Sequence, residues 1–163
     1  MIFRSFKYGE YYFKNYIDCS YQEHLEILKN RNDVNIRKWM SNNLPISEDS
    51  HFSFIKKLRF SSDKIYYAVF KNQKYVASIY LTDIDGFQGE RGLYVVPDFQ
   101  GKGLTQFIEA GFVKLVSDHG IRKIIARVKS NNLRSISYHL RIGYKEVARD
   151  CEYIHYTYDI NEI

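Results

Sequence analysis

The sequence is poor in the residues that staple or punctuate a chain. Two cysteines, Cys19 and Cys151, and two prolines, Pro45 and Pro97, are spread over 163 residues. The cysteines lie far apart and outside any metal-ligand spacing, so neither a disulfide framework nor a zinc site is expected, and two free thiols are the reading. Long apolar runs are missing as well, none approaching the roughly 20 residues a bilayer span needs. The opening "MIFRSFKYGEYYF" has none of the zones of a secretory signal, so the expected compartment is the cytoplasm. Without repeats or low-complexity linkers, residues 1–163 read as one domain long enough to bury a core. The net charge is +5, from 24 basic and 19 acidic residues, yet no block holds more than three basic residues. That pattern gives a solvated surface with some preference for an anionic partner, not a polycationic tail.

What is present is a globular composition, 45% hydrophobic and 26% charged, with 15 tyrosines against one tryptophan. The stretch 1–18 reads as an opening strand with a polar interruption. "QEHLEILKNRND" follows as a short helix with Leu25, Ile27 and Leu28 toward the core, and "NIRKWMSNN" as a second helical piece. "SEDSHFSFIKKLRF" is a helix with Ser47 as N-cap, acidic residues in its first turn and lysines later. "KIYYAVFKNQKYVASIYLTDIDG" is a hairpin joined by "KNQK", and "RGLYVV" a third strand beside it. Then come a glycine-stopped helix, the strand "IRKIIARVK", another glycine-stopped helix and two final strands. The order is β-αα-βββ-α-β-α-ββ. It predicts a mixed α/β fold with one mostly antiparallel sheet of about seven strands, helices on both faces, and parallel pairing in the second half.

One stretch invites chemistry. "VVPDFQGKGLT" sets Gly101 and Gly103 around Lys102, between a strand ending at Pro97 and a helix starting near Leu104. A helix N-terminus offers free amides and positive potential, and glycines let a phosphate approach them. The other account is a strand-to-helix turn that uses glycine for geometry alone. The spacing is neither that of a P-loop nor that of a dinucleotide fingerprint.

These residues resemble the signature of the GNAT (general N-acetyltransferase) superfamily, [QR]-x-x-G-x-[GA]. Gln100, Gly103 and Thr105 fall on its places, Thr105 departing from the usual Gly or Ala. A second family feature, N-x-x-S-I-x-x-Y-x-x-x-G-[FY], is matched by Asn132, Ser135, Ile136, Gly143 and Tyr144. The resemblance implies acetyl-CoA as co-substrate and no metal. It places the pyrophosphate on the amides of Gly101, Lys102, Gly103, Leu104 and Thr105, the pantetheine alongside Val95, and Asn132 near its arm.

Acetyl transfer to an amine needs proximity, a hydrogen-bond donor for the thioester oxygen such as an N–H near Val95, and acid–base help. The family's usual tyrosine, four residues before the glycine, is replaced by His139, with Tyr138 one residue earlier. The expectation is that His139 protonates the leaving thiolate, the alternative being a site with no dedicated acid; Tyr138, also a candidate by position, reads first as a core-facing aromatic on the helix. Glu90 and Asp83, both at strand ends, are the candidate bases acting through water.

The front half is similar to one GNAT branch, the nucleotide-linked amino-sugar N-acetyltransferases of pseudaminic acid biosynthesis. Its R-N, W-M, I-S and H-x-x-F pattern is met by Arg31, Asn32, Trp39, Met40, Ile46, Ser47, His51 and Phe54. The resemblance implies a UDP-linked amino sugar as acceptor. Arg31 and His51 would meet diphosphate or ribose, and Trp39, Met40, Phe54 and Tyr94 would supply apolar and stacking surface. Two other classes are open: a protein N-terminal acetyltransferase of the ribosomal-protein kind, wanting an acidic or open groove, and a nucleic-acid-binding module. The implied partners are a small-molecule amine, no nucleic acid and no membrane, with a homodimer left open.

Overall fold

A computed structural model describes residues 3–160. Residues 1 and 2 of the predicted opening strand lie outside that range. The polar interruption in that strand is a turn. Gly9, at φ 57°, takes the left-handed conformation that only glycine adopts freely, and it folds the stretch into β1 (Phe6–Tyr8) and β2 (Tyr11–Asn15). That extra hairpin is why the described residues form eight strands and not about seven.

Three helices follow. α1 (Tyr21–Arg31) begins with a full capping box, Ser20 and Glu23 each bonding the other's backbone N–H. α2 (Val34–Arg37) is a single turn capped by Asp33, and α3 (Glu48–Leu58) is capped by Ser47 as the sequence suggests. On α1 the core-facing set is His24, Ile27 and Leu28, and Leu25 is only partly buried. The "KNQK" hairpin joins β3 (Ile65–Lys71) to β4 (Lys74–Thr82) through Asn72 and Gln73, both at positive φ, the two-residue turn that matches strand twist. β5 (Gln88–Val95), α4 (Leu104–Asp118), β6 (Lys123–Lys129), α5 (Leu133–Arg141), β7 (Lys145–Arg149) and β8 (Tyr153–Asp159) complete the chain.

The sheet order is β1-β2-β3-β4-β5-β6-β8-β7, with β5–β6 the parallel neighbours and the other pairs antiparallel. Helices cover both faces, as predicted. On one face Leu104, Ile108 and Phe112 of α4 pack on Phe13, Tyr67, Ile79 and Ile124. On the other, Ile27, Ile36 and Ile55 from α1–α3 pack on Ala68, Tyr75 and Tyr94. Each large side chain buried this way is worth about 2 kcal/mol over leaving it in water. Among the described residues no helix is long and apolar enough to cross a membrane.

Candidate active site

The site starts from a failure of strand pairing. β5 stays on β4 along its length, from Thr82–Glu90 to Ala77–Val95. On its other side it pairs with β6 only from Gln88–Lys123 to Glu90–Ile125. Beyond Glu90 the strands part, and β6 runs on with β8 as far as Lys129–Tyr153. The Val96 N–H donates to Val76 O at 2.9 Å. Ala77–Val95 is therefore a pair without ladder bonds, and by the alternation of antiparallel pairs the N–H and C=O of Val95 point away from β4, into the opening. Leu93, two residues back, points the same way. Gln100 Nε2 donates to the Val95 carbonyl at 2.9 Å, and the Val95 N–H faces the gap.

The glycine loop closes one end of this opening. Gly101 (φ 74°) and Gly103 (φ 75°) are both left-handed, so geometry alone asks for glycine at each. Gly103 is the N-cap of α4 and brings no side-chain cap, whereas Ser20, Ser47 and Asn132 cap α1, α3 and α5. A Cβ on Gly103 would meet nothing within 4 Å. Free amides at a helix N-terminus, with room in front of them, make an anion site. Leu104 is buried and Thr105 half-buried, so both offer backbone only, while Lys102 lies exposed with its Nζ 5.4 Å from the Phe99 ring centroid.

Opening and loop share a cleft of about 670 Å³. Among the sequence-predicted residues it is lined by Val95, Gln100, Gly101, Gly103, Asn132, Glu90, Tyr138, His139, Trp39, Met40 and Tyr94. Asp83, Lys102, Leu104, Thr105, Arg31, His51 and Phe54 do not line it.

Beneath the cleft floor lies a polar cluster that the motifs did not predict. Arg91 and Glu109 form an ion pair, Nε to Oε1 at 3.0 Å, with both side chains under 10% exposed. Tyr144 Oη donates to Glu109 Oε1 at 2.6 Å and Tyr138 Oη to Oε2 at 3.1 Å. Arg91 Nη2 donates to His139 Nε2 at 2.8 Å. An ion pair can be buried at tolerable cost only when further hydrogen bonds meet its donors and acceptors, and here His139, Tyr138 and Tyr144 supply three. A signal was present in the sequence: Glu109 sits three and seven residues before the core residues Phe112 and Val116, on the buried stripe of α4.

The cluster bears on the expectation for His139. Arginine has no acceptor, so Nε2 must be bare, and the ring's proton sits on Nδ1, which donates to Ser135 O at 2.7 Å. Burial, then the Arg91 charge, push its pKa down to about 3. A neutral imidazole bonded this way has only the Nδ1 proton, which it gives to Ser135 O, so the geometry favours a packing and hydrogen-bonding place for His139. Tyr138 reaches the cleft with its phenol held by Glu109, and burial followed by the Glu109 charge raises its pKa. Glu90 accepts from Arg127 Nε at 2.8 Å. Asp83 is exposed and outside the cleft.

Much of the acceptor pattern makes contacts within the fold. Asn32 clamps the backbone of Ile46 with two hydrogen bonds of 2.8 Å. Arg31 Nη2 donates to Asn42 O at 2.9 Å, and Arg37 Nη1 to Asn43 O at 2.8 Å. His51, expected at the ligand, is buried and pairs with His24 across 3.1 Å, and burial and the His24 charge lower its pKa to about 4. Phe54 packs edge-on against Tyr66, which stacks on Tyr80 at 4.5 Å. Arg31, Asn32 and Arg37 tie down the loop of residues 38–47, and that loop carries Trp39 and Met40 to the cleft. Asn132 likewise spends its Oδ1 on the Ser135 N–H at the start of α5. Composition and motif missed the β6 residues Arg127 and Lys129, which line the cleft. Among the described residues lining the cleft, the cations Arg91, Arg127, Lys129, Arg134 and Arg141 face one carboxylate, Glu90.

Comparison with known proteins agrees with this geometry. The family model described as an acetyltransferase (GNAT) domain matches residues 21–145. Acetyltransferase PseH of Campylobacter jejuni is 33% identical over 90 residues, and the match spans 55% of this chain and 57% of that protein. The crystal structure of Campylobacter jejuni N-acetyltransferase PseH in complex with acetyl coenzyme A superposes with a TM-score of 0.76 at 22% identity, over 93% of this chain and 99% of that one. Spermidine N-acetyltransferase from Vibrio cholerae, solved with CoA and spermine, superposes at 0.82 with 14% identity, over 92% and 95%. At such identities the structural likeness speaks for the fold, and the match to the family model over most of the chain carries the assignment: the protein belongs to the GNAT superfamily of acetyl-CoA-dependent N-acetyltransferases.

Proposed function

We propose that this enzyme acetylates the amino group of a nucleotide-linked amino sugar, the 4-amino group of a UDP-linked dideoxy sugar being the form the PseH likeness favours. The observation that carries the reading is the make-up of the cleft's acceptor half. Trp39, Met40, Tyr80 and Tyr94 give aromatic and apolar surface, Arg127 and Lys129 give positive charge, and Glu90, its one carboxylate, is paired to Arg127. An anionic, partly apolar acceptor suits such walls, whereas a polyamine or the amino terminus of a peptide would want carboxylates. The free thiols of Cys19 and Cys151 suit a cytoplasmic setting.

Acetyl-CoA supplies a thioester carbonyl as electrophile and a thiolate as leaving group. The amides at Gly103, Leu104 and Thr105 are the anion site for its pyrophosphate, and the unpaired edge of β5 at Leu93 and Val95 offers backbone hydrogen bonds to its pantetheine amides. The Val95 N–H is the donor aimed into the gap for the carbonyl oxygen. Glu90, through water, takes the amine proton. Tyr138, on the cleft with its phenol held by Glu109, is the proton donor in this reading. A thiol of pKa near 8.5 leaves fairly well unaided, so that donor adds about 10²-fold and not the whole rate.

The test is thiol release from acetyl-CoA with a UDP-linked 4-amino sugar, spermidine and an N-terminal peptide offered in parallel. Turnover confined to the UDP sugar is the expected result. Preference for the peptide or the polyamine refutes the sugar assignment.

A further inference from the structure

Behind Tyr94 lies a chain of hydroxyl groups that neither packing nor the GNAT signature explains. Tyr94 and Ser78 face each other across β5 and β4. Tyr75 Oη donates to Tyr94 Oη at 3.0 Å, Tyr75 Oη and Ser78 Oγ lie 2.7 Å apart, and Ser78 Oγ lies 2.5 Å from Tyr16 Oη. Ser78, Tyr75 and Tyr16 are each under 5% exposed, and among these four Tyr94 alone lines the cleft.

Each hydroxyl has one proton, so the direction of the chain is fixed once any link is fixed. Tyr75 spends its proton on Tyr94. The proton between Tyr75 and Ser78 must then come from Ser78, and that between Ser78 and Tyr16 from Tyr16. The order is Tyr16 to Ser78 to Tyr75 to Tyr94. Tyr94 therefore accepts from Tyr75 and has its own proton to give, with the cleft on one side and Tyr16 as its other neighbour. Hydroxyls donating in series polarise one another, which strengthens the last donor. Burial lifts the pKa of Tyr16 and Tyr75 well above 10, so both stay protonated. At its inner end the Tyr16 hydroxyl bonds Ser78 and also interacts with Tyr94, both hydroxyls and neither a base, so the chain does not carry protons away. What it does is set a direction.

We propose that Tyr94 is a specificity residue that donates a hydrogen bond to an oxygen of the acceptor (a sugar hydroxyl or ring oxygen), and that Tyr75, Ser78 and Tyr16 are positioning residues aiming that hydrogen. The proposal rests on the acceptor half of the cleft described above and adds to it a required acceptor atom near the reacting amine. A site built to donate rejects amines without that atom, because the buried donor would be left unpaired.

Two measurements test it. The first needs no acceptor: hydroxyl-proton exchange of the free enzyme, with labelled tyrosines, followed by NMR. The Tyr16 and Tyr75 hydroxyl protons should exchange slowly and the Tyr94 proton fast. A Tyr94 proton protected as well as the other two overturns the proposal whatever the substrate. The second is steady-state kinetics on whichever amine of the panel the wild type acetylates, so that a peptide in place of the sugar would sink the sugar assignment and still decide this proposal. Tyr94→Phe should raise the acceptor KM about tenfold, the effect of one hydrogen bond, with kcat and the KM for acetyl-CoA unchanged. Tyr75→Phe should raise the acceptor KM about threefold, and the double variant should be no worse than Tyr94→Phe. Effects that multiply, or a Tyr75→Phe variant that loses melting temperature with the acceptor KM untouched, assign the chain to folding alone.

Discussion

At the scale of residues, the site rests on side chains whose protons are already committed. His139 stands where the family motif has tyrosine, but its Nε2 accepts from Arg91 and its Nδ1–H is given to Ser135 O. It stacks on Tyr156 at 5.4 Å and stands edge-on to Tyr144 at 5.0 Å, so it fills the space between α5 and the sheet. The pH dependence of kcat should therefore be the same in wild type and His139→Asn between pH 6 and 8, while the variant melts at a lower temperature. A limb near pH 6 that vanishes in the variant would restore an acid–base role. Arg91→Met is the harsher change. It leaves the Glu109 carboxylate buried without its counter-charge, which should cost about 3–5 kcal/mol in urea unfolding.

At the scale of elements, two short segments convert local backbone geometry into binding. Gly103 sits at φ 75° at the N-terminus of α4. Valine there costs about 1–2 kcal/mol in backbone conformation, and its branched side chain would project toward the free amides. Asparagine tolerates the left-handed region far better. Gly103→Val should thus lose acetyl-CoA affinity severely and Gly103→Asn much less, both measured by calorimetry. Equal losses would mean that side-chain bulk and not conformation decides. The loop of residues 38–47 is the second segment. Asn32→Ala removes both bonds to Ile46, releasing the loop that places Trp39 and Met40. The acceptor KM should rise several-fold while acetyl-CoA affinity holds. An unchanged acceptor KM would show that the loop needs no such clamp.

At the scale of the whole molecule, buried neutral histidines tie stability to pH. His24, His51 and His139 are each under 10% exposed, and burial lowers the pKa of all three, His51 to about 4 and His139 to about 3. The unfolded chain takes up protons near pH 6.5 and the folded chain does not, so unfolding binds protons as pH falls. The stabilisation is complete above pH 6.5 and drains away as pH falls toward the folded values, about 4 for His51 and about 3 for His139, at about 1.4 kcal/mol per pH unit for each group within its window. Urea midpoints at pH 7.5, 6.0 and 5.0 should fall steeply, and less steeply in His51→Asn. A midpoint flat from pH 7.5 to 5 would contradict the buried neutral pairs.

The sequence by itself determined the element order, the helix cap at Ser47, the glycine loop and the family, because caps, turns and hydrophobic periods are local and act within a few residues. It left the opening hairpin as one strand, because one glycine and one glutamate between aromatic runs read as a polar blemish until the register with β3 is known. It left the roles of His139, His51 and Arg31 undecided, because a motif gives a position and not a direction. Only the tertiary structure put Arg91 of β5, Glu109 of α4 and Tyr138, His139 and Tyr144 around α5 in one buried cluster, residues up to 53 apart in sequence. Only it parted β5 from β6 past Glu90, since that opening depends on where β8 pairs with β6 and not on any residue of β5 alone. Burial and partner geometry set which proton is held and which is free. Both are properties of the packed sheet and helices, and no stretch of a dozen residues carries them.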